Sequence, residues 1–149
     1  MGAEDGSVLD LRIRYAATLF LGGDYRRAAP QFDALAATLE RIDGPLSEET
    51  LDYRRQAVVC RIALGETDAA LPELESIIRA YEQTDAESPG SLSLRLNLAQ
   101  LRVSAGQQKQ AADELRQLYD DAVRILGRGD ELTAEIDELR SRLHRATTD

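Results

Sequence analysis

The chain has 149 residues, of which 43% are apolar, and it carries a formal net charge of −9 with no tryptophan. That length suffices for one domain with its own core, and so acidic a chain lacks the basic surface that phosphate contacts require, which argues against nucleic acid as a partner. Cys60 is the single cysteine, so we expect neither a disulfide framework nor a thiolate metal cluster. No apolar run approaches the roughly 20 residues needed to cross a bilayer, and residues 1–5 do not resemble a secretory signal. We therefore expect a cytoplasmic protein without a membrane partner.

One motif occurs three times along the chain. In this motif a glycine is followed five residues later by alanine and nine residues later by Phe or Leu, and the three glycines are Gly23, Gly65 and Gly106. The motifs come after a tail over residues 1–7, which we expect to be disordered. They are 42 and 41 residues apart, and self-similarity at such a period predicts a stacked array of small units. A small residue at the alanine position allows two helices to approach closely, and this position holds Ala28, Ala70 and Ala111.

Each unit predicts a pair of amphipathic helices. Apolar residues recur at three- and four-residue spacing before each glycine, over residues 8–21, 50–64 and 91–105, and again after it. The predicted fold is all-α, a helical-hairpin repeat solenoid with three helix pairs plus a C-terminal capping helix. We expect repeats at about 8–43, 47–85 and 88–127, a capping helix at 130–145 and a tail at 146–149.

Polar residues and prolines mark the expected helix starts. Asp24 and Thr67 are expected to cap the second helices of their pairs, and Ser88, which precedes a proline, is expected to cap the next first helix. Pro30 and Pro72 fall inside the predicted second helices. Because a proline beyond the first turn removes a backbone hydrogen bond, we expect displaced or kinked helices there.

The pattern Gly-x-x-x-x-Ala-x-x-x-[Phe/Leu], clearest at Gly23, Ala28 and Phe32, resembles the tetratricopeptide repeat. The long period resembles the kinesin-light-chain variety of that family. The resemblance covers nearly all of residues 8–145 and implies a right-handed superhelix whose concave groove binds a protein or peptide. The absence of tryptophan and a period above the common ~34 residues depart from the family pattern.

A second resemblance concerns the first repeat. Residues 11–16 and 23–32 are similar to the repeat region found C-terminal to some actinobacterial serine/threonine protein kinases. The chain has no Gly-rich loop, His-Arg-Asp catalytic loop or Asp-Phe-Gly motif. The resemblance therefore implies a non-catalytic regulatory or docking region of a larger bacterial signalling protein.

In tetratricopeptide arrays the first helices line the groove, and the resemblance implies which side chains face it. The polar candidates are Arg14, Arg55, Gln56, Asn97 and Gln100. Arginine holds carboxylates through paired hydrogen bonds, and side-chain amides pair with a peptide backbone, so we expect an acidic peptide as the partner. The sequence leaves open whether these side chains bind a ligand or only solvate a face.

Arginine also recurs at another register of the first helices, at Arg12, Arg54 and Arg95. We expect these three to be structural. Each would pair with an acidic side chain on the preceding repeat, such as Glu40 or Glu82.

The expected function is a protein–protein interaction scaffold. The alternative is self-association, as a homodimer, through the edge of the first helix at Val8 and Leu9. Because the sequence shows no nucleophile–base pair, metal-ligand set or cofactor motif, we expect no enzyme, no catalytic residue, no metal and no cofactor.

Overall fold

The computed structural model describes residues 6–148, with side chains through residue 146, as seven α-helices without a strand in that range. The helices are α1 (Gly6–Leu21), α2 (Tyr25–Asp43), α3 (Glu48–Ala63), α4 (Thr67–Thr84), α5 (Pro89–Ser104), α6 (Gln108–Leu126) and α7 (Glu131–Thr148). They form two compact units, α1–α4 and α5–α7. The predicted all-α fold, with three helix pairs and a seventh helix, is confirmed.

The helices at the two chain ends are longer than predicted. α1 begins at Gly6, so the last two residues of the predicted N-terminal tail are helical. α7 continues to Thr148, so residues 146–148 of the predicted C-terminal tail are helical too. Arg145 lies in the last turn of α7, where a cation interacts favourably with the helix dipole. Residues 1–5 and 149 lie outside the described residues.

The first helix of every pair ends in the same way. Gly23 has a φ of +78°, a left-handed conformation that glycine adopts at the least cost. Its N–H and the N–H of Asp24 donate to carbonyls in the last turn of α1, at 3.0 and 2.8 Å, which are the two bonds of a Schellman motif. Gly65 and Gly106 repeat this arrangement with φ values of +80° and +82°. The repeated glycine therefore sets the turn between the two helices of a pair.

Two of the three predicted N-caps are confirmed. Asp24 accepts a hydrogen bond from a backbone N–H of the first turn of α2 at 3.3 Å, and Ser88 does the same for α5 at 3.1 Å. The prediction for Thr67 is wrong, because α4 already begins there and the Ala70 N–H donates to the Glu66 carbonyl. Glu66 follows its closing glycine directly, as Asp24 does, and so takes the capping position.

Pro30 and Pro72 lie inside their helices and start neither of them. α2 begins at Tyr25 and α4 at Thr67, so each proline is the sixth residue of its helix. Both prolines are exposed, so their side of the helix faces water, where a carbonyl without a backbone donor can still be satisfied. The prediction of displaced helix starts is therefore wrong.

The core of the first unit has a main cluster contributed by α1, α2 and α3. Its buried members are Ala16, Ala28, Ala29, Phe32, Leu35, Ala57 and Cys60. Phe32 meets the edge of Phe20 with ring centroids 6.0 Å apart and stacks on Tyr53 at 6.2 Å. Burial raises the pKa of the Cys60 thiol to about 11, so it is protonated at neutral pH and packs as a small apolar side chain.

The core of the second unit joins α5, α6 and α7. Its largest members are Leu92, Leu96, Leu115, Leu118, Ile136, Leu139 and Leu143. Three of these come from α7, so the seventh helix covers the apolar face of its neighbours as a cap does. Across both units the alanines of the repeated motif are 0% exposed: Ala28, Ala70 and Ala111.

Candidate functional site

In the first unit the candidate Arg14 is available to a ligand. It lies exposed on α1 and makes no hydrogen bond or ion pair with any residue that the structure describes. Gln56 is half-buried on α3. An exposed, unpaired guanidinium can form a bidentate contact with a carboxylate without first breaking another bond.

Arg55 stands in a different environment. Its Nη2 lies 4.0 Å from Asp52 Oδ1 on the same helix, and 23% of its side chain is exposed. Its Nε is buried without a hydrogen-bond partner among the described residues. The Asp52 carboxylate therefore offsets much of the positive charge that the sequence assigned to this site.

Tyr81 completes this cluster from α4. Its hydroxyl donates to Asp52 Oδ1 at 3.1 Å. Burial, followed by the charge of Asp52, raises the pKa of Tyr81 to about 12, so the hydroxyl remains a donor at neutral pH. Tyr81 was not among the residues predicted from the sequence, although a tyrosine at the buried position four residues after Ile77 signals a polar group that needs a partner.

In the second unit a cleft of about 450 Å³ opens between α5 and α7. Leu96, Leu126 and Leu132 give it apolar walls, and Pro89 and Ser93 also line it from α5. The candidate Asn97 also lines the cleft. Gln100 is exposed on α5 but does not line it.

Three carboxylates decide the electrostatics of this cleft. Asp130, Glu131 and Glu135 line it from the start of α7, and the described part of its lining contains no basic side chain. Asp130 Oδ1 also accepts a hydrogen bond from the Leu132 N–H at 2.9 Å, which holds that carboxylate at the helix start. A cationic group would be attracted to this cleft, and an anionic group would be repelled.

The three arginines of the second register bond within the protein, and the partners predicted for Arg54 and Arg95 are wrong. Arg12 Nη2 donates to Thr38 Oγ1 at 3.2 Å. Arg54 Nη2 donates to Glu73 Oε1 at 3.1 Å, and Arg95 Nη1 donates to Asp121 Oδ2 at 2.9 Å; neither bonds to Glu40 or Glu82. Each arginine thus bonds to the second helix of its own pair, because this register faces that helix. An ion pair between successive helix pairs does exist, but it joins Arg61 of α3 to Asp33 of α2.

Arg95→Met should weaken the second unit in a pH-dependent way. Burial acts to raise the pKa of Asp121, but the hydrogen bond and charge of Arg95 outweigh it, so this pKa lies below its ordinary value. A carboxyl whose folded-state pKa is lowered contributes stability above its unfolded pKa and loses that contribution as the pH falls through the folded pKa. We expect the variant to lose about 1 kcal/mol at pH 7, and the difference from wild type to shrink as the pH falls below the unfolded value of about 4.

Urea unfolding between pH 7 and pH 2 and a carboxyl NMR titration of Asp121 check this prediction. Arg116→Met is the control, since the Arg116–Asp113 pair is 70% and 60% exposed and should contribute little. An Asp121 pKa that is the same in wild type and Arg95→Met would contradict the assignment.

Two kinds of feature were sought among the described residues, a metal site and a membrane-spanning helix. Within residues 6–148 no three His, Cys, Asp or Glu side chains are grouped so that they could hold a metal ion. No helix in this part of the chain has the length and apolar character that crossing a membrane requires.

Solved structures share this architecture. The TPR-like repeats of a Podosopora anserina kinesin light chain-like protein match with a TM-score of 0.79 and 18% identity, covering 99% of this chain and 69% of that one. BtubC (BKLC) from P. vanneervenii matches with a TM-score of 0.79 and 15% identity, covering 97% of this chain and 57% of that one. The Yersinia enterocolitica type III secretion translocator chaperone SycD matches with a TM-score of 0.73 and 15% identity, covering 97% and 89% of the two chains.

No protein-family model matches the sequence, and no curated protein matches it significantly. The structural likeness nevertheless spans nearly the whole chain. At identities of 15–18% such a likeness shows the fold alone. The chain therefore has the fold of a TPR-like helical repeat.

Proposed function

We propose that this chain is a protein–protein interaction scaffold that binds segments of its partner on the exposed faces of its first helices. The observation that carries this proposal is the cleft beside α5. It lies at Ser93, Leu96 and Asn97, which are groove positions by resemblance to tetratricopeptide arrays. An extended segment could place side chains in this cleft while its backbone pairs with the Asn97 amide.

The cleft favours a basic side chain from the partner. A lysine or arginine has an aliphatic stem that suits the leucine walls and a cationic head that suits the carboxylates of Glu131 and Glu135. An acidic side chain at this place would face three carboxylates, and none of the described lining residues would offset them with a positive charge. For the second unit we therefore propose a basic segment in place of the acidic one expected from the sequence.

In the first unit we propose that Arg14 receives an acidic group of the partner. Its support is the exposure of Arg14 and its lack of a bond to any described residue. Arg55 contributes less charge because Asp52 offsets it, and we assign it, with Gln56 and Gln100, a hydrogen-bonding role toward the partner.

Self-association is the alternative function. Its support is that Leu11 and Tyr15, on the outer side of α1, are 62% and 48% exposed. The sequence resemblance of residues 11–16 and 23–32 supports a serine/threonine kinase as the parent protein. This parent, the cytoplasmic location and the absence of enzymatic activity stay predictions.

Charge variants of each face test the proposal. Peptides of 12 random residues displayed on phage would be selected on the wild-type protein, and the enriched peptides synthesised and titrated by fluorescence anisotropy. Since partly exposed ion pairs are worth about 0.5–1.5 kcal/mol, we expect Glu131→Gln with Glu135→Gln, or Arg14→Glu, to weaken binding about 3- to 10-fold. Added salt should weaken wild-type binding as well.

Matched variants control for net charge. Glu82→Gln with Asp120→Asn removes the same two charges at exposed positions of second helices, and Arg26→Glu reverses an exposed arginine on α2. These controls should bind like wild type. Equal losses in the control and test variants, or none in either, would contradict the proposal.

A further inference from the structure

A stripe along α1 exposes apolar side chains that face no described neighbour closely enough to be buried. Val8, Leu11 and Tyr15 are 38%, 62% and 48% exposed, and Thr18 continues the stripe as an exposed residue. Spacings of three, four and three residues place all four on one side of a helix. We call these four residues the α1 stripe.

The α1 stripe can be compared with the same positions in the other two first helices, α3 and α5. Its residues lie 15, 12, 8 and 5 positions before the closing glycine Gly23. The same positions before Gly65 hold Thr50, Tyr53, Ala57 and Cys60, of which three are buried and Tyr53 is half-buried. The same positions before Gly106 hold Ser91, Leu94, Leu98 and Leu101, which are all buried.

Within the first unit the equivalent face of α3 is covered by a helix. Tyr53 stacks on Phe32 of α2, and Ala57 and Cys60 belong to the same buried cluster as Phe32 and Ala29. An ion pair between Arg61 and Asp33 joins the same two helices beside this cluster. The α1 stripe thus has the register of a helix-packing surface, and no helix among residues 6–148 buries it.

We infer that the α1 stripe binds an amphipathic helix of a partner polypeptide, seated as α2 is seated on α3. Three turns of helix would span Val8 to Thr18, since a helix rises 1.5 Å per residue. The partner's face would carry small and aromatic residues like Ala29 and Phe32. An acidic residue at its edge would complement Arg14, which lies beside the stripe and bonds to no described residue; because Leu19 is the α1 residue equivalent to Arg61, this acid would lie at another place than Asp33 does on α2.

A second copy of this chain suits the stripe less well. The faces that correspond to such a partner helix are already covered on α2 by α3 and on α6 by α7. A second copy could offer its own exposed α1 stripe, but it would have to give up one of these internal contacts to seat α2 or α6 here as α2 is seated on α3.

The probe for this site is a labelled peptide with the sequence of α2, residues 25–43, titrated into the full chain by fluorescence anisotropy. We expect saturable binding that falls at least about 10-fold in Leu11→Glu with Tyr15→Glu, because both side chains would become charged at the centre of the contact. Leu11→Ala with Tyr15→Ala should give a smaller loss. Because both residues are largely exposed, melting temperatures should stay close to wild type.

A control variant and a control peptide keep the outcome unambiguous. Leu21→Glu changes an 85% exposed leucine of α1 outside the stripe and should bind the peptide like wild type. A peptide carrying Phe32→Glu should not bind. Equal binding by wild type and the double variant, which would mean that the peptide replaces α2 elsewhere, overturns the inference; so does no binding at all. Sedimentation of the wild-type chain as a dimer that Leu11→Glu dissociates would assign the stripe to a second copy and overturn it as well.

Discussion

Ala70→Arg is expected to unfold the first unit or destabilise it severely. Ala70 is 0% exposed, and α4 carries it at the register where the equivalent alanines, Ala28 and Ala111, are also fully buried. Overpacking of a close helix contact costs about 1–3 kcal/mol, and a guanidinium without a partner adds the cost of removing a charge from water. We therefore expect a loss of about 4 kcal/mol or more and a melting temperature at least about 10 °C lower.

Ala69→Arg is the matched control for this variant. Ala69 precedes Ala70 on the same helix and is exposed, so the same new side chain would lie in water. Thermal melts followed by circular dichroism would compare the two variants. A melting temperature of Ala70→Arg within about a degree of the control would mean that Ala70 does not stand at a helix contact.

Ile136→Asp should have a comparable effect on the second unit. Ile136 is 0% exposed and joins α7 to the leucine cluster of α5 and α6. Loss of such a side chain costs about 2–5 kcal/mol before any charge is counted, and a carboxylate buried there is further disfavoured. We expect urea unfolding to show the second unit destabilised by about 4 kcal/mol or more at pH 7.

The pH dependence of this variant follows from the same burial. A carboxyl in an apolar core has a raised pKa in the folded state, so the folded state regains stability relative to wild type as the pH falls through that raised pKa. Ala134→Asp, an exposed position on the same helix, is the control and should unfold like wild type. Equal stability of Ile136→Asp and Ala134→Asp would contradict a capping role for α7.

The fold could be predicted because its signals are local and recur. A glycine such as Gly23 ends a helix through its own backbone conformation, and an alanine such as Ala70 marks a close contact wherever the repeat stacks. The N-cap of α4 was predicted at Thr67 and not at Glu66, because threonine is preferred over glutamate at helix N-caps. The Schellman turn fixes the start of α4 one residue earlier than that preference suggests.

The partners of side chains could be predicted only in part, because they depend on which helices meet. Arg95 is recognisable as structural from its repetition, yet its partner Asp121 is set by how α5 and α6 pack within their pair. The charge of Arg55 was predicted to be available to a ligand, because the sequence does not show that Asp52 and Tyr81 lie beside it.

The cleft of the second unit likewise depends on which helices meet, which the sequence does not show. Asn97 was predicted on the correct helix, but the acidic wall of Glu131 and Glu135 belongs to α7, which the sequence marks as a cap with a polar outer side. A capping helix and a wall of a binding cleft have the same amphipathic pattern. The charge that a partner must carry depends on α5 and α7 lining the same cleft, and the sequence alone does not show that they do.

The central claim, that partners bind on the exposed faces of the first helices, is tested most directly by NMR. Backbone amide shifts of the labelled full chain would be recorded with and without the phage-selected peptides. The account predicts that the shifts cluster on the groove-facing residues of α1 and α3 in the first unit and of α5 and α7 in the second, with Asn97 and Glu135 among the largest. Shifts confined to α2, α4 and α6, or a selection that yields no binding peptide, would contradict it.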